Sequence, residues 1–219
     1  MTSAVDAAAV AEAARVIAGA GLVEAFGHVS ARVDGGFLLT STAPLGTQTA
    51  PSIHRLADDG TVVAAGTSGA GVPLEAPLHA AIYAARPDVG AICRTHSAAA
   101  VAWGLRVAAP PLLHGLGGLA GEVTAWGGDS DLVVTAAQGA AVAAALGAAD
   151  CLLVRANGNV ATGATVEQAT VRAWFLEERA RVALEAGPEA SPLTDVQARA
   201  RHYAAEEARA WRWLQESHA

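Results

Sequence analysis

The chain has no lysine: all 14 basic residues among its 219 are arginine. No side-chain amine is therefore available to form a Schiff base with a substrate carbonyl, to hold pyridoxal phosphate, or to complete a phosphate-binding P-loop. Cysteine is scarce, with only Cys93 and Cys151, each inside an apolar run. A thiol in that setting is expected to behave as a small buried hydrophobe, which fits a reducing, cytoplasmic compartment. No run of about 18 uncharged apolar residues is present, and no basic segment precedes an apolar stretch near residue 1, so neither membrane embedding nor export is expected. A net charge of -7 with scattered arginines argues against nucleic acid and points to a small molecule as partner.

What is present is alanine in abundance: 53% of the residues are hydrophobic but only 5% aromatic, the composition of closely packed helices on a sheet. The length suffices for a full core without disulfide or metal staples. One domain is expected over residues 1–190, with a helical tail over 191–219 that packs on the body or on a neighbouring subunit through Trp211, Trp213 and Leu214. Helical spacing runs over residues 3–19 and ends at Gly19-Ala20-Gly21. Strands are expected at 37–40, 53–56 and 61–65, the last two joined by the turn Asp58-Asp59-Gly60. A loop over 41–51, rich in serine, threonine, proline and glycine, is a candidate for ligand contact. Pro77 opens a helix over 76–85. Further strands are expected at 89–93, 132–135 and 151–154, with helices at 97–105 and 138–146. Asn157-Gly158-Asn159 turns into 160–162. Thr165 and Gln168 form a capping box for a helix reaching residue 186, and a charged helix covers 194–218.

Four segments carry the chemistry: Phe26-Gly27-His28-Val29-Ser30 with Arg32, then Glu75 with His79 and Tyr83, then Arg94-Thr95-His96-Ser97, and last Leu153-Val154-Arg155-Ala156-Asn157-Gly158. In this order and spacing the chain resembles the class II aldolase and adducin family over nearly its whole body. The resemblance implies a three-layer α/β/α sandwich with a mostly antiparallel central sheet, and a homotetramer with sites between subunits. It also implies a divalent metal, zinc or manganese, held by two histidines of a His-x-His strand end and one of an Asn-His-Gly turn. That metal stabilises an enediolate as a Lewis acid.

Carried over by position, the three imidazoles fall on Arg94, His96 and Asn157, so one of three is kept. Residues at i and i+2 on a strand share a face, so Arg94 puts a cation into half of the metal cradle. The glutamate position is kept as Glu75. The resemblance makes Gly27-His28-Val29-Ser30 an anion-binding turn, and His28 together with the His114 loop looks more like the decarboxylase branch than the sugar-phosphate aldolases.

Glu75, Arg94 and His96 are thus the candidate catalytic residues, and His28, Ser30, Ser41, His114 and Asn157 the candidate substrate contacts. Arg94 has two readings, a fork gripping a substrate anion or a structural ion-pair partner of Glu75. His79 is read as structural, and Trp103, Trp126 and Trp174 as packing. The expected function is a diverged lyase-like enzyme acting on a small carboxylated or hydroxylated carbonyl compound, without a tightly held metal and with Glu75 as general acid/base. Decarboxylation, retro-aldol cleavage, dehydration and isomerisation all lie within reach. Two alternatives stand beside it. One is a metalloenzyme with a rebuilt zinc or manganese site of Glu75 and His96 with His114 or His28. The other is a non-enzymatic binding or scaffold protein, as adducin is.

Overall fold

The computed structural model describes residues 6–128 and 131–218. Helix α1 (Ala7–Gly19) starts where the Asp6 carboxylate accepts a hydrogen bond from the Ala9 amide, and it buries Val10, Ala14 and Ile17 at the expected helical spacing. Residues 3–5 of the predicted helix lie outside the described residues. Strands β1 (His28–Val33), β2 (Gly36–Leu39), β3 (His54–Leu56) and β4 (Val62–Ala64) follow as an antiparallel meander, with Asp58-Asp59-Gly60 turning β3 into β4. The expectation that Gly27 to Ser30 forms a turn is corrected here: only Gly27 lies outside β1, so His28 and Ser30 stand on one face of a strand.

Helix α2 (Ala76–Ala85) matches the predicted bounds, and strand β5 (Ala91–Thr95) begins and ends two residues later than expected. Helix α3 (Ala98–Gly104) leads through a loop to β6 (Val123–Trp126), a strand absent from the sequence reading. The predicted strand over 132–135 is instead irregular, with the Val134 amide turned back onto the Leu132 carbonyl. Helix α4 (Ala136–Leu146), strands β7 (Cys151–Val154) and β8 (Asn159–Gly163), and the long helix α5 (Val166–Ala186) complete the body. A reciprocal capping box forms at α4, between Thr135 and Gln138. At α5 Thr165 caps the Gln168 amide, but the Gln168 side chain accepts from Ala164 instead of Thr165. The tail is two helices, α6 (Val196–Ala200) and α7 (Tyr203–His218), broken at Arg201 and His202.

The sheet order is β4-β3-β2-β1-β5-β8-β7-β6, and every pairing is antiparallel except β6 with β7. One face is covered by α1, α3, α5 and α7, the other by α2 and α4, which is the three-layer sandwich. The tail packs on the body of its own chain: Leu214 is fully buried, and the Trp213 ring meets Trp174 of α5 edge-on at 5.3 Å. Among the described residues no helix is long and apolar enough to cross a membrane.

Candidate active site

A cleft of about 540 Å³ opens where the start of β1, the end of β5, the first residue before α2 and the 157–158 turn converge. Its walls are apolar, formed by Phe26, Leu45, Pro73, Leu74 and Leu132, while His28, Ser41, Thr42, Glu75, His96 and Asn157 supply the polar lining. From the 41–51 loop, Ser41, Thr42, Ala43 and Leu45 line the cleft. Gln48, which the sequence reading passed over, is fully buried and ties the loop together by bonding Ser41, Ala43 and Ser52.

Glu75 occupies the N-cap position of α2 but does not cap it; its carboxylate turns to the sheet. Oε2 accepts from His28 Nε2 at 3.2 Å and lies 3.3 Å from Arg94 Nε, and Oε1 accepts from the Val133 amide at 3.3 Å. The register explains the meeting, since His28 and Arg94 are directly paired across β1 and β5. Burial pushes the Glu75 carboxyl up, but the His28 hydrogen bond and the Arg94 charge together outweigh it and hold the group well below the usual carboxylate range. Glu75 is therefore ionised at neutral pH, an acceptor with no proton to give.

Arg94 is fully buried and does not reach the cleft. Its Nη1 donates to the Thr95 carbonyl at 3.0 Å, and among the described residues Nη2 has no hydrogen-bond partner. The ion-pair reading of Arg94 is the one the geometry supports, and its expected contact with substrate is corrected. Gly158 makes room for it: with φ of +81°, a Cβ there would collide with the Thr95 carbonyl oxygen and stand 2.6 Å from Arg94 Nη1.

His96 lies just beyond β5 and lines the cleft. Its Nδ1 donates to the Phe26 carbonyl at 3.1 Å, which fixes the tautomer and leaves the Nε2 lone pair free. Burial first, and the Arg94 charge second, lower its pKa to about 4, so the ring is neutral at pH 7. Asn157 lines the cleft with an amide nitrogen that has no hydrogen-bond partner among the described residues.

Two further expectations are corrected. Ser30 is wholly buried beneath α2, bonded to His79 and Tyr83, and does not touch the cleft. His114 sits on the loop after α3 near the charges of Glu178, Arg179 and Arg181 of α5, away from the cleft, so Glu75, His96 and His114 do not assemble within one chain. The structure thus brings His28, Ser41, Glu75, His96 and Asn157 together and leaves Ser30, Arg94 and His114 outside.

The three positions where the resemblance sets imidazoles carry a guanidinium, an imidazole and a carboxamide. The guanidinium is already paired with the one carboxylate that would offset a dication. This donor set does not fit a tightly held zinc or manganese ion. Among the described residues no three histidine, cysteine or acidic side chains are grouped so as to hold one.

Comparison with known proteins places this geometry in a family. The family model "Class II Aldolase and Adducin N-terminal domain" matches residues 8–184. A 3,4-dihydroxyphthalate decarboxylase of Rhodococcus jostii (strain RHA1) is 33% identical over 200 residues, covering 85% of this chain and 82% of the relative. A second 3,4-dihydroxyphthalate decarboxylase, from Terrabacter sp. (strain DBF63), is 31% identical over 188 residues, 80% of this chain and 79% of the relative. Among solved structures, L-fuculose 1-phosphate aldolase from Glaciozyma antarctica PI12 superposes with a TM-score of 0.79 at 21% identity, over 96% of this chain and 88% of that one, a likeness of fold.

Proposed function

This chain belongs to the class II aldolase and adducin family, and we propose that within it the protein is a decarboxylase of a small hydroxylated aromatic carboxylate. That it is a lyase-type enzyme acting on a small carboxylated compound follows from the family and from both bacterial relatives. The observation that carries the finer reading is the lining of the cleft. Its walls are apolar, and the described lining residues include no arginine. A phosphate would find no cation there, whereas a planar ring fits between Phe26, Leu45, Leu74 and Leu132. A carboxylate placed against apolar walls loses hydration, and its departure as neutral carbon dioxide relieves that cost.

The residues divide the work as follows. His96 Nε2 accepts the proton of a ring hydroxyl, which pushes electron density onto the ring. The same imidazole returns that proton to the ring carbon bearing the carboxylate. The bond to the carboxylate carbon then breaks, its electron pair restores the ring, carbon dioxide leaves, and the product oxyanion takes a proton from water. Asn157 donates to the substrate carboxylate, and Glu75, kept ionised by His28 and Arg94, accepts from a second hydroxyl. Arg94 acts through Glu75, as a fixed positive charge where the family resemblance sets a metal; a tightly held zinc or manganese ion has no part in this reading.

Carbon dioxide release from 3,4-dihydroxyphthalate and from a panel of hydroxylated aromatic mono- and dicarboxylates tests the assignment. Release is expected from at least one, with His96→Ala lowering kcat by about 10²- to 10⁴-fold. Release from none, or an unaffected His96→Ala enzyme, overturns it.

We also propose a homotetramer in the cytoplasm. Phe26 and Leu74 at the cleft mouth are 78% and 71% exposed, apolar area that a neighbouring subunit would cover, and both cysteines are free thiols. Light scattering that gives a monomer at micromolar concentration counts against it.

A further inference from the structure

From the cleft a row of hydrogen bonds enters the space between β1 and α2 and ends there. Glu75 Oε2 meets His28 Nε2 at 3.2 Å, His28 Nδ1 meets His79 Nε2 at 2.6 Å, His79 Nδ1 meets Ser30 Oγ at 2.6 Å, and Ser30 Oγ meets the Tyr83 hydroxyl at 2.7 Å. Only Glu75 and His28 line the cleft; His79 and Ser30 are fully buried, and Tyr83 is 4% exposed. Spacing produces the row. His28 and Ser30 project from the same face of β1, while Glu75, His79 and Tyr83 follow one another at four-residue steps along one side of α2.

The direction of every bond is determined. A carboxylate only accepts, so His28 carries its proton on Nε2 and, as a neutral ring, offers a lone pair at Nδ1. His79 must then donate from Nε2, which makes its Nδ1 an acceptor for Ser30. The Ser30 oxygen in turn accepts from Tyr83. One ionised carboxylate thus polarises four neutral groups, all donating toward the cleft. Reversing any single bond would place two donors or two lone pairs face to face in a buried site.

We propose that His79 and Ser30 are positioning residues of the reaction, holding His28 as the Nε2–H tautomer so that its N–H stays on Glu75 and fixes that carboxylate at the cleft. The inference rests on the cleft being the reaction site. With its lone pair engaged at Nδ1, His28 can neither rotate nor turn into a base. Its single N–H stays on Glu75 Oε2 at 3.2 Å, so the carboxylate keeps its charge and its aim at the substrate hydroxyl it accepts from. To accept an extra proton at His28 the whole row would have to reverse, leaving the Tyr83 O–H aimed at no partner beside Phe37, whose ring lies 5.3 Å away.

The test uses the full chain labelled with ¹⁵N-histidine. Ring nitrogen spectra of the parent at pH 7 are expected to show His28 and His79 both neutral and both protonated at Nε2. Ser30→Ala removes the donor that holds His79, so a mixture of tautomers at both rings is expected, with kcat down ~10- to 100-fold and KM within about twofold. Ser30→Thr, which keeps the hydroxyl, should restore the spectra and kcat. Tyr83→Phe leaves the Ser30 donor in place and should cost less than Ser30→Ala. A His28 imidazolium in the parent, or a Ser30→Ala protein that loses kcat while its histidine tautomers stay unchanged, overturns the proposal. Carbon dioxide release absent from the parent would sink the decarboxylase reading, whereas the tautomers are read from the spectra without any substrate.

Discussion

Strands β1 and β5 serve two interiors at once. Val29, Ala31 and Cys93 point into the layer of α1, α3, α5 and α7, a closely packed aliphatic core. His28, Ser30 and Arg94, their immediate neighbours in sequence, point into the layer of α2 and α4 and meet Glu75, His79 and Tyr83. Period-two alternation lets a short strand be oil on one side and a charged, hydrogen-bonded network on the other. The dry layer holds the sheet still, and the polar layer spends part of that stability on a buried ion pair whose desolvation its attraction does not fully repay. Rigidity and chemistry are therefore separated by the thickness of one strand.

That contrast can be broken first at its charged centre. Arg94→His with Asn157→His adds two imidazoles to that of His96, three in all, and places a dication where the guanidinium now faces Glu75. Zinc affinity should rise by orders of magnitude over the parent while the natural activity falls. Metal titration followed by elemental analysis checks this, and a folded double variant that binds zinc no better than the parent would show that the three positions do not converge.

Single substitutions on the two faces sharpen the comparison. Arg94→Ala leaves the Glu75 charge buried without its partner and should cost about 3–5 kcal/mol in urea unfolding, with activity lost as well. Leu153→Ala, in the dry layer, should cost about 2–5 kcal/mol through its cavity yet keep kcat per folded molecule. Equal kcat values for the two variants would contradict the division of labour.

The smallest effect is a slope. Burial lowers the pKa of His28 and of His79 below the ordinary 6.5, and Glu75 is held below the ordinary 4.5, so each group binds fewer protons in the folded protein than in the unfolded chain. The histidine contribution is complete above pH 6.5 and is lost as pH falls below it; the Glu75 contribution follows below pH 4.5. The urea midpoint should decline from pH 7 toward pH 4, with Leu153→Ala parallel to the parent and His79→Gln shallower. A flat parent profile would mean that these groups bind as many protons in the fold as in the unfolded chain.

Much of the fold was legible because local signals agreed with the final packing. Pro77 and the apolar spacing marked α2, and the Cys151 to Val154 run marked β7. Strand β6 escaped because its four residues are only half buried at the sheet edge and lie between glycines. Residues 132–135 looked like a strand by composition, yet Val133 gives its amide to Glu75 instead of a neighbouring strand. In the site, Glu75 and His96 were visible from register alone. That Ser30 is walled off, that Arg94 pairs behind the cleft, and that His79 belongs to the network all depend on β1 lying under α2, a contact far apart in sequence. His114 shared only a loop with the motif, and its helix neighbours decided its place.

Both native thiols are shut inside the sheet, where burial pushes Cys93 and Cys151 up to about 12. Maleimide reagents, which attack thiolates, will pass them by. A cysteine introduced at Thr42, exposed on the rim of the cleft, would then be the one reactive thiol of the protein. A fluorophore carried there would sit over the entrance, and its emission would follow a ligand entering or leaving without any change to the residues on the floor.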